Sequence, residues 1–547
     1  MSTAEARPSP TNPTYNRLSG QQDSPILKLS RDILWNIFLI NTESEYEPRR
    51  PGSPAKAAIL TLKDESQVCS SWRDIIVNSP SLWGRVINFL YLKQAWWRGE
   101  VLRRTGTSAW LYVDGWNVDI EDIAIHILEE NWYRMRSLDI ELSDHNKRST
   151  IFDYESCLWP LLQQPAPVLA RFRIKDPPTV ESELDSPYDF VLFNDVAPML
   201  TMLSARTLQF SLQAPWISGI CHLALSSPVP YHELLAALTH MPLLQVLEDS
   251  RVNAIIDGDP TKVTTPRLTL PRLTKIDIET TVNLGPYMSF LNHLNPDAGR
   301  CLEFDWVLLK PHYSPNAEVL AAVTQVLSTY AKSANLAEAT NIELILYNQN
   351  FSFIASANTE PVLRFNLDQN RTSNVFPDGT FKSLLSALEF SKPLKARNLS
   401  LDIILDGCGL LVSHPKLIEF MGSLDCVQQL AVSFETFDFL REFSDEVQEP
   451  VLPQLQLLST HYGSYIAPGT VGDARAFLMS RLQRGMSIPV FSIQMAYDSS
   501  GDFQSLEDIR GLKVEISSTG RPDVVYRCGS GTPEVLLVDC RRRDSSP

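Results

Sequence analysis

The residue types that most often carry chemistry are present in this sequence, but they lack the spacing that catalysis or metal binding requires. The chain has nine histidines and eight cysteines, and no two cysteines form a CxxC pair. His232 and His240 are too far apart for one helical turn, and neither has cysteine or aspartate neighbours at zinc-site spacing. The sequence contains no GxxxxGK(S/T), GxGxxG, HExxH or GxSxG motif. We therefore expect no enzyme activity, no cofactor and no metal ion.

The overall charge argues against two classes of partner. The 547 residues include 48 Lys and Arg against 64 Asp and Glu, which gives a formal net charge of −16. Proteins that bind nucleic acid or anionic membranes need clustered basic residues, and the one dense basic run is Arg541-Arg542-Arg543. The sequence also has no signal-peptide core and no apolar run of the ~20 residues that span a bilayer. We therefore expect no nucleic acid and no membrane as partners, and a cytoplasmic and/or nuclear location.

Two amphipathic helices are predicted near the N-terminus. Ser30 can cap the first helix, and Leu29 and Leu34 flank this cap at the positions of a hydrophobic staple. The second helix is predicted from about Lys56 to Val77, because apolar residues recur at helical spacing until Pro80 stops it. A helical unit this small struggles to bury its own core, so its apolar face favours docking onto a partner.

From about residue 85 the pattern changes to short strands separated by helical stretches. Alternating apolar residues predict strands from Leu138 to Leu142, Leu273 to Ile278, Leu302 to Trp306, Ile342 to Leu346, Leu399 to Ile403 and Leu512 to Ile516. Helices are predicted from His232 to His240, Ala317 to Ser333 and Ala474 to Arg484. Several strands follow a Pro-x-Leu step, as at Pro271-Arg272-Leu273. One strand and one helix per unit, in series, predict a solenoid, although no unit carries the full leucine-rich consensus.

Two short stretches in the N-terminal region form a recognisable pair. Residues 29–38 read Leu-Ser-Arg-Asp-Ile-Leu-Trp-Asn-Ile-Phe, and residues 68–75 read Val-Cys-Ser-Ser-Trp-Arg-Asp-Ile. A Pro-Ser-Leu-Trp step follows at residues 80–83. This order and spacing resemble the F-box family, in particular its large branches in mushroom-forming fungi, with Ser30 in place of the usual proline. Most of residues 86–530 resemble the same proteins more loosely.

The resemblance implies a substrate-recognition adaptor of a Skp-cullin-F-box type ubiquitin ligase. The F-box would dock onto a Skp-type adaptor, and through it a cullin, and would present a bound protein for ubiquitination. An alternative is a non-enzymatic protein-interaction scaffold that uses its F-box outside ubiquitination. Aromatic anchors dominate many interfaces, which makes Trp72 and Trp83 expected hot spots. The residues implied to bind the adaptor are Leu29, Ile33, Leu34, Ile37, Phe38, Val68, Cys69, Trp72, Ile75, Leu82 and Trp83.

We therefore predict an α/β fold in which N-terminal F-box helices precede an irregular leucine-rich-repeat-like solenoid of alternating strands and helices. The predicted parts are a disordered tail at residues 1–25, an F-box-like helical domain at 26–90 with a loop at about 41–55, a leucine-rich-repeat-like substrate-recognition domain at 91–535, and a C-terminal tail at 536–547.

Acidic residues outnumber bases at the outward positions of several predicted strands, where the bases are Arg173, Lys175, Lys275 and Lys513. In a solenoid these positions lie on the concave face, and stacking would gather them into one acidic stripe. We predict that this stripe faces an unknown protein substrate with a basic segment. The alternative is that a chain with this charge balance shows acids everywhere. The predicted substrate-facing residues are Asp139, Glu141, Asp277, Glu279, Glu303, Asp305, Glu343, Asp402 and Glu515.

Overall fold

The computed structural model describes most of the chain between Leu29 and Asp539. The described residues are 29–42, 58–118, 123–142, 160–175, 191–205, 210–225, 229–250, 255–256, 267–281, 283–296, 301–308, 315–358, 360–369, 375–390, 393–447, 450–462, 470–495, 500–518 and 523–539. The predicted tail at residues 1–25 lies outside them. So does the predicted loop at residues 41–55, except for Asn41 and Thr42, which belong to a helix.

The chain divides into two compact units. The first comprises residues 1–118 with 134–137, and the second comprises residues 119–133 with 138–547. The first unit therefore extends beyond the predicted domain boundary at residue 90, because a strand pair that follows the helices packs with them.

The first unit consists of four short helices followed by a strand, a fifth helix and a second strand. Its elements are α1 (Arg31–Thr42), α2 (Ala58–Val68), α3 (Ser70–Val77), α4 (Pro80–Gly84), β1 (Ile87–Asn88), α5 (Ala95–Thr105) and β2 (Leu111–Val118). The Ser30 hydroxyl accepts a hydrogen bond from the Ile33 backbone N–H at 3.4 Å, which confirms the predicted cap. The prediction of a single helix from Lys56 to Val77 is wrong, because α2 ends at Val68 and α3 begins at Ser70. Cys69 is extended (φ −156°, ψ 169°) and caps α3, since its Sγ accepts a hydrogen bond from the Trp72 backbone N–H at 3.5 Å.

Close backbone packing joins the last helices of the first unit to its strands. β1 and β2 are parallel, with Ile87 opposite Val113. A Cβ atom placed on Gly84, the last residue of α4, would lie 2.2 Å from the carbonyl oxygen of Trp110. Only glycine fits this close approach, so the α4 backbone can lie directly against the start of β2.

The second unit alternates strands with helices along the chain. Its helices are α6 (Ile123–Asn131), α7 (Tyr231–Leu238), α8 (Leu284–His293), α9 (Ala317–Ser333), α10 (Thr380–Ala387), α11 (Pro415–Gly422), α12 (Thr436–Glu446) and α13 (Thr470–Gln483). Short 3-10 helices lie at Leu192–Asp195, Pro215–Gly219, Leu336–Glu338, Gln504–Asp508 and Pro533–Leu536.

The strands of the second unit begin with β3 (Met135–Leu142), whose residues 135–137 group with the first unit. The others are β4 (Arg171–Lys175), β5 (Met202–Ala205), β6 (His222–Leu225), β7 (Val229–Pro230), β8 (Val246–Ser250), β9 (Ile255–Ile256), β10 (Lys275–Thr280), β11 (Cys301–Val307), β12 (Asn341–Tyr347), β13 (Asn350–Ala357), β14 (Glu360–Asp368), β15 (Asn398–Ile403), β16 (Gln429–Val432), β17 (Leu457–Tyr462), β18 (Val490–Met495), β19 (Ser500–Asp502), β20 (Lys513–Ser518), β21 (Val524–Arg527) and β22 (Leu537–Asp539). Each predicted strand overlaps an observed one.

Most of these strands form one large, mainly parallel sheet. From β4 the pairing order is β4-β5-β6-β8-β10-β11-β14-β13-β12-β15-β16-β17-β18-β20-β21. Within this series β13 and β21 run antiparallel to their neighbours. Pairing order follows chain order except at β12, β13 and β14, a meander inserted in reverse, so that β11 pairs with β14 and β12 with β15. The predicted α/β class is confirmed.

One buried residue from each strand forms a continuous row across this sheet, which we call the inner row. Each member is at most 3% exposed. Because side chains alternate between the two faces, a one-residue slip in any pair would turn that strand's apolar residues to the opposite face. In pairing order the inner row is Phe172, Leu203, Leu223, Leu247, Ile276, Leu302, Leu363, Ala355, Ile342, Leu399, Leu430, Leu458, Phe491 and Val514.

A recurrent proline turn leads the chain into several strands. The carbonyl of the residue before proline accepts a hydrogen bond from the backbone N–H of a leucine, at 3.3 Å between Ala166 and Leu169 and at 3.2 Å between Leu270 and Leu273. Proline suits the second position of such a turn, and both leucines are buried. The same bond closes the turns at Ala197–Leu200, Met241–Leu244 and Leu452–Leu455. These five steps are therefore turns that bury a leucine just before a strand.

The folded structure continues past residue 536, where the C-terminal tail was predicted to start. Leu536 is fully buried. β22 pairs antiparallel with β19, with Val538 opposite Gly501. These contacts place residues 536–539 in the second unit, and the rest of the predicted tail lies outside the described residues.

A buried arginine supports the turn that precedes β17. Arg481 of α13 is 4% exposed and donates hydrogen bonds to the carbonyl oxygens of Val451 and Leu452, the latter at 2.9 Å. Leu452 has a φ of 51°, which non-glycine residues seldom adopt. Burial, aided by the charge of Arg484, lowers the pKa of the Arg481 guanidinium to about 10. Arg481 is thus charged at neutral pH and holds a strained turn through two of its carbonyl groups.

Gly84→Ala should destabilise the first unit, because the added methyl group would collide with the Trp110 carbonyl. We expect the free energy of unfolding to fall by about 2 kcal/mol or more. Gly99→Ala is the matched control, since a Cβ atom on Gly99 of α5 meets nothing within 4 Å. Alanine should stabilise that helix by about 0.5–1 kcal/mol. Urea unfolding of the full chain, followed by tryptophan fluorescence, measures both changes. Equal midpoints for the two variants would contradict the close approach at Gly84.

Arg481→Met should leave two carbonyl groups of the buried turn without donors. Each lost hydrogen bond from a charged group costs about 1.5–3 kcal/mol, so we expect a total loss of about 3 kcal/mol or more. Arg475→Met on the same helix is the control, because Arg475 pairs with Asp508 at the surface, where ion pairs contribute about 0–1 kcal/mol. Thermal unfolding of the two variants compares them. A similar shift in both would mean that Arg481 does not support the turn.

Candidate functional site

α1 exposes an apolar face. Ile33, Ile37 and Ile40 are 49%, 36% and 64% exposed, and their spacing places them on one side of the helix. Val68, the last residue of α2, is 62% exposed. Single exposed apolar residues are common on protein surfaces, but several on one helix face are typical of an interaction surface. Of the residues implied to bind an adaptor, Ile33, Ile37 and Val68 are therefore available to one.

Most other residues implied to bind the adaptor belong to the core of the first unit. The buried ones are Leu34, Phe38, Ile75, Leu82 and Trp83. The Trp83 indole N–H donates to the Ile76 carbonyl at 2.8 Å, and the Arg104 guanidinium lies 4.5 Å from the centre of its ring. The Trp83 ring thus makes internal contacts through both its N–H edge and its face, and it is not placed to enter a groove of a partner.

The half-buried residues of the motif link α1 to α3. Leu29, Cys69 and Trp72 belong to this group. Trp72 packs edge-on against Phe38, with 5.0 Å between ring centroids, and its indole nitrogen is buried without a hydrogen-bond partner among the described residues. An ion pair between Arg31 and Asp74, at 3.4 Å, connects the same two helices. These contacts fix the orientation of α1 and thereby of its exposed face.

The sheet of the second unit carries a row of side chains on the face opposite to the inner row, which we call the outer row. Four of the predicted substrate-facing acids belong to it: Asp277, Glu303, Glu343 and Glu515. In pairing order the outer row is Arg173, Ser204, Ala224, Glu248, Asp277, Glu303, Arg364, Ile354, Glu343, Ser400, Ala431, Ser459, Ser492 and Glu515.

The remaining predicted acids lie elsewhere on the strands. Glu279, Asp305 and Asp402 share the next row on the same face. Asp139 lies in β3 and is half-buried. Glu141 is also in β3, but its side chain is outside the described part of the structure.

Basic residues interrupt the predicted acidic stripe. The Lys275 amine lies 3.0 Å from Asp277 and 2.7 Å from Glu303, and Arg364 lies 3.7 Å from the second oxygen of Glu303. Burial disfavours the charged amine, but the bonds to Glu303 and Asp277 outweigh burial and raise the pKa of Lys275. Further pairs join Arg173 to Asp139, His222 to Glu248, and Lys513 to Glu515. The acids are thus interleaved with bases, and several charges of the predicted acidic stripe are already compensated by ion pairs within the sheet.

Two half-buried acids near the middle of the sheet have no cationic partner. The Glu343 side chain makes no hydrogen bond or ion pair with a described residue. Burial raises the pKa of its carboxyl group, while Arg364 lowers it and Asp402 raises it by smaller amounts. Burial likewise raises the pKa of Asp402, which accepts a hydrogen bond from the Thr436 hydroxyl at 3.5 Å. Glu343 is the less compensated of the two, because hydrogen bonds from the Ser433 and Thr436 hydroxyls lower the pKa of Asp402.

Small side chains beside Glu343 leave a depression in this face, which we call the trough. Ser400, Ala431 and Ser459 follow Glu343 in the outer row. They line a cavity of about 220 Å³ together with Glu343 and Ile354. Since Ile354 stands opposite Glu343 on the neighbouring strand, the carboxylate lies between an apolar wall and the small residues of the trough.

A row of amide side chains borders the trough at the starts of β12, β15 and β16. Asn341, Asn398 and Gln429 pair in register there and line the same cavity. The Asn398 amide donates to the Asn341 side-chain oxygen at 2.6 Å. The Gln429 amide is exposed and makes no hydrogen bond with a described residue. This border offers donors and acceptors to a bound main chain.

The trough has no conspicuous signature in the sequence, because its small side chains carry neither charge nor a large apolar surface. The signal that marks the trough is a small residue between two buried ones on consecutive strands. It occurs as Leu399-Ser400-Leu401, Leu430-Ala431-Val432 and Leu458-Ser459-Thr460. One such triplet is unremarkable, and only the pairing order brings the three together.

Metal-ligating side chains are dispersed over the described residues, and two of the free cysteines are buried. No group of three or more His, Cys, Asp or Glu side chains among them is placed to hold a metal ion. Burial raises the pKa of the Cys408 and Cys528 thiols to about 11, so both are protonated at neutral pH and are poor nucleophiles. In the same part of the chain, no helix has the length and apolar character needed to cross a bilayer.

No protein-family model matches this sequence, and no curated protein is significantly similar to it. A functional interpretation therefore rests on the chain's own residues, above all on the exposed face of α1 and on the outer face of the sheet with its trough.

Proposed function

We propose that this chain is the substrate-recognition adaptor of a Skp-cullin-F-box type ubiquitin ligase, acting in the cytoplasm or the nucleus. The observation that carries the proposal is the apolar face of Ile33, Ile37 and Ile40. This face lies on α1, the helix that contains the first half of the F-box-like motif. The chain supplies binding surfaces, and ubiquitin transfer belongs to other subunits.

The two halves of the motif have complementary roles in this proposal. The first half lies in α1 and the second in α3, and the contact between Phe38 and Trp72 joins them. Residues of the motif that are buried hold α1 in place, while Ile33, Ile37 and Val68 remain exposed. An amphipathic helix that lays such residues into an apolar groove of a Skp-type adaptor gains affinity by removing them from water.

The second unit provides the substrate platform. Its strands follow chain order for most of the sheet, pair in register and are repeatedly preceded by the same proline turn. These features support a leucine-rich-repeat-like solenoid, in which each unit packs against its neighbours. The outer row then forms a broad sheet face on which a protein substrate can bind.

Replacing the exposed isoleucines by aspartate should weaken docking without unfolding the chain. Ile37→Asp and Ile40→Asp each place a charge where the adaptor groove is apolar, so we expect at least a tenfold loss of affinity, or about 1.4 kcal/mol. The control is Trp96→Asp, because Trp96 is 71% exposed in the same unit but lies on α5. Calorimetric titration of the full chain with a purified Skp-type adaptor measures the affinities. If Ile37→Asp bound as tightly as wild type, α1 would not be the docking helix.

Ubiquitin-ligase and scaffold roles differ in what co-purifies with the chain. Affinity purification of wild type from cells should recover the Skp-type adaptor together with a cullin, whereas Ile37→Asp should lose both. A substrate should accumulate on wild type when the proteasome is inhibited, because degradation otherwise removes it. Recovery of the adaptor without a cullin, and with bound proteins insensitive to the inhibitor, would favour the scaffold instead.

A further inference from the structure

Glu343 occupies an unfavourable position for a carboxylate. It is half-buried between Ile354 on β13 and Ser400 on β15, and no described side chain donates a hydrogen bond to it. A partly desolvated charge without a partner costs free energy that an opposite charge can offset. Glu303, in contrast, already has Lys275 and Arg364 as neighbours. A cation brought by another molecule would therefore gain more at Glu343 than at Glu303.

The trough gives such a cation a place to lie. Its floor of Ser400, Ala431 and Ser459 sits beside the carboxylate, and its volume of about 220 Å³ suits one or two side chains. Lysine and arginine bury their methylene stems on apolar surface while the charged end seeks a partner. The apolar side chain of Ile354 and the methyl group of Ala431 can receive the stem.

The amide border suits a main chain that passes over the strands. Gln429 has a free carboxamide, and Asn398 uses one of its amide hydrogens on Asn341. Side-chain amides both donate and accept, so they match the alternating N–H and C=O groups of an extended peptide. An acidic occupant is disfavoured, because Glu343 and Asp402 would repel it.

We infer that the trough binds an extended segment of the substrate and that a lysine or arginine of this segment pairs with Glu343. The inference rests on the proposed function, because the occupant is the protein that the adaptor presents. The proposed contact for a basic segment is therefore Glu343 and not Asp277 or Glu303, because Lys275 already compensates the charges of those two residues. Substrate choice then depends on β12, β13 and β15 to β17.

A displayed library of random dodecapeptides, selected against the full chain, tests this assignment. We expect the recovered peptides to be enriched in lysine and arginine relative to the starting library. A fluorescein-labelled copy of the most enriched peptide is then titrated against three chains: wild type, Glu343→Gln and Glu515→Gln. Glu515 is the matched control, since it lies in the same outer row but already pairs with Lys513 at 2.6 Å.

Glu343→Gln should weaken binding of this peptide about tenfold, because a desolvated ion pair is lost. Glu515→Gln should change it by less than about twofold. Replacing the basic residue of the peptide by glutamine should cause the same loss on wild type and no further loss on Glu343→Gln, as expected when the two groups interact. Unfolding is not expected to contribute. Burial raises the pKa of Glu343, so its charge costs stability at neutral pH, and an uncharged glutamine relieves that cost.

Three outcomes would overturn the inference: recovered peptides without enrichment of basic residues, equal losses in the two variants, or no peptide whose binding depends on Glu343. Titration of the Skp-type adaptor against the same Glu343→Gln chain separates this result from the proposed function. If the adaptor binds and the peptides do not depend on Glu343, the trough is misassigned and the docking role stands. If the peptides depend on Glu343 and the adaptor does not bind, the ligase role fails instead.

Discussion

The register of the inner row is the constraint on which the second unit depends. From Phe172 to Val514, each strand contributes one buried residue at the same level of the sheet. A slip of one residue would bury charged groups such as Lys275 and would expose their apolar neighbours. The helices and proline turns between the strands must bring the chain back so that the next strand pairs in this register. Because the register of the inner row is fixed, the positions of the outer-row residues on the opposite face are fixed with it.

In the first unit, too, buried and exposed side chains alternate along one element. Within two turns of α1, Leu34 and Phe38 face the core while Ile33 and Ile37 face outward. A small unit cannot bury all of its apolar residues, so some remain exposed on its surface. In both units the side chains that hold the fold alternate with side chains left available for binding. Substitutions at the two kinds of position should therefore be distinguishable by whether stability or affinity changes first.

Local patterns in the sequence predicted local structure well and long-range pairing poorly. The alternation in Ile342–Leu346 and the cap at Ser30 depend on nearby residues, and both were found. The break at Cys69 was missed because the apolar spacing of a helix runs through it and cysteine seldom serves as a cap. The inverted meander and the unpaired state of Glu343 could not be predicted. Each depends on which strand lies alongside, and only the folded chain decides that Ile354 stands opposite Glu343.

The inverted meander also imposes an order of events on the nascent chain. Strands before it can join the growing sheet one after another as they emerge from the ribosome. β11 must wait, because its next neighbour is β14, and Asp305 and its partner Asn366 are 61 residues apart. During that interval the backbone groups on one side of β11 face water, in the arrangement by which strand edges recruit other chains. The time taken to translate residues 308 to 368 thus sets how long this edge of β11 stays unpaired in the nascent chain.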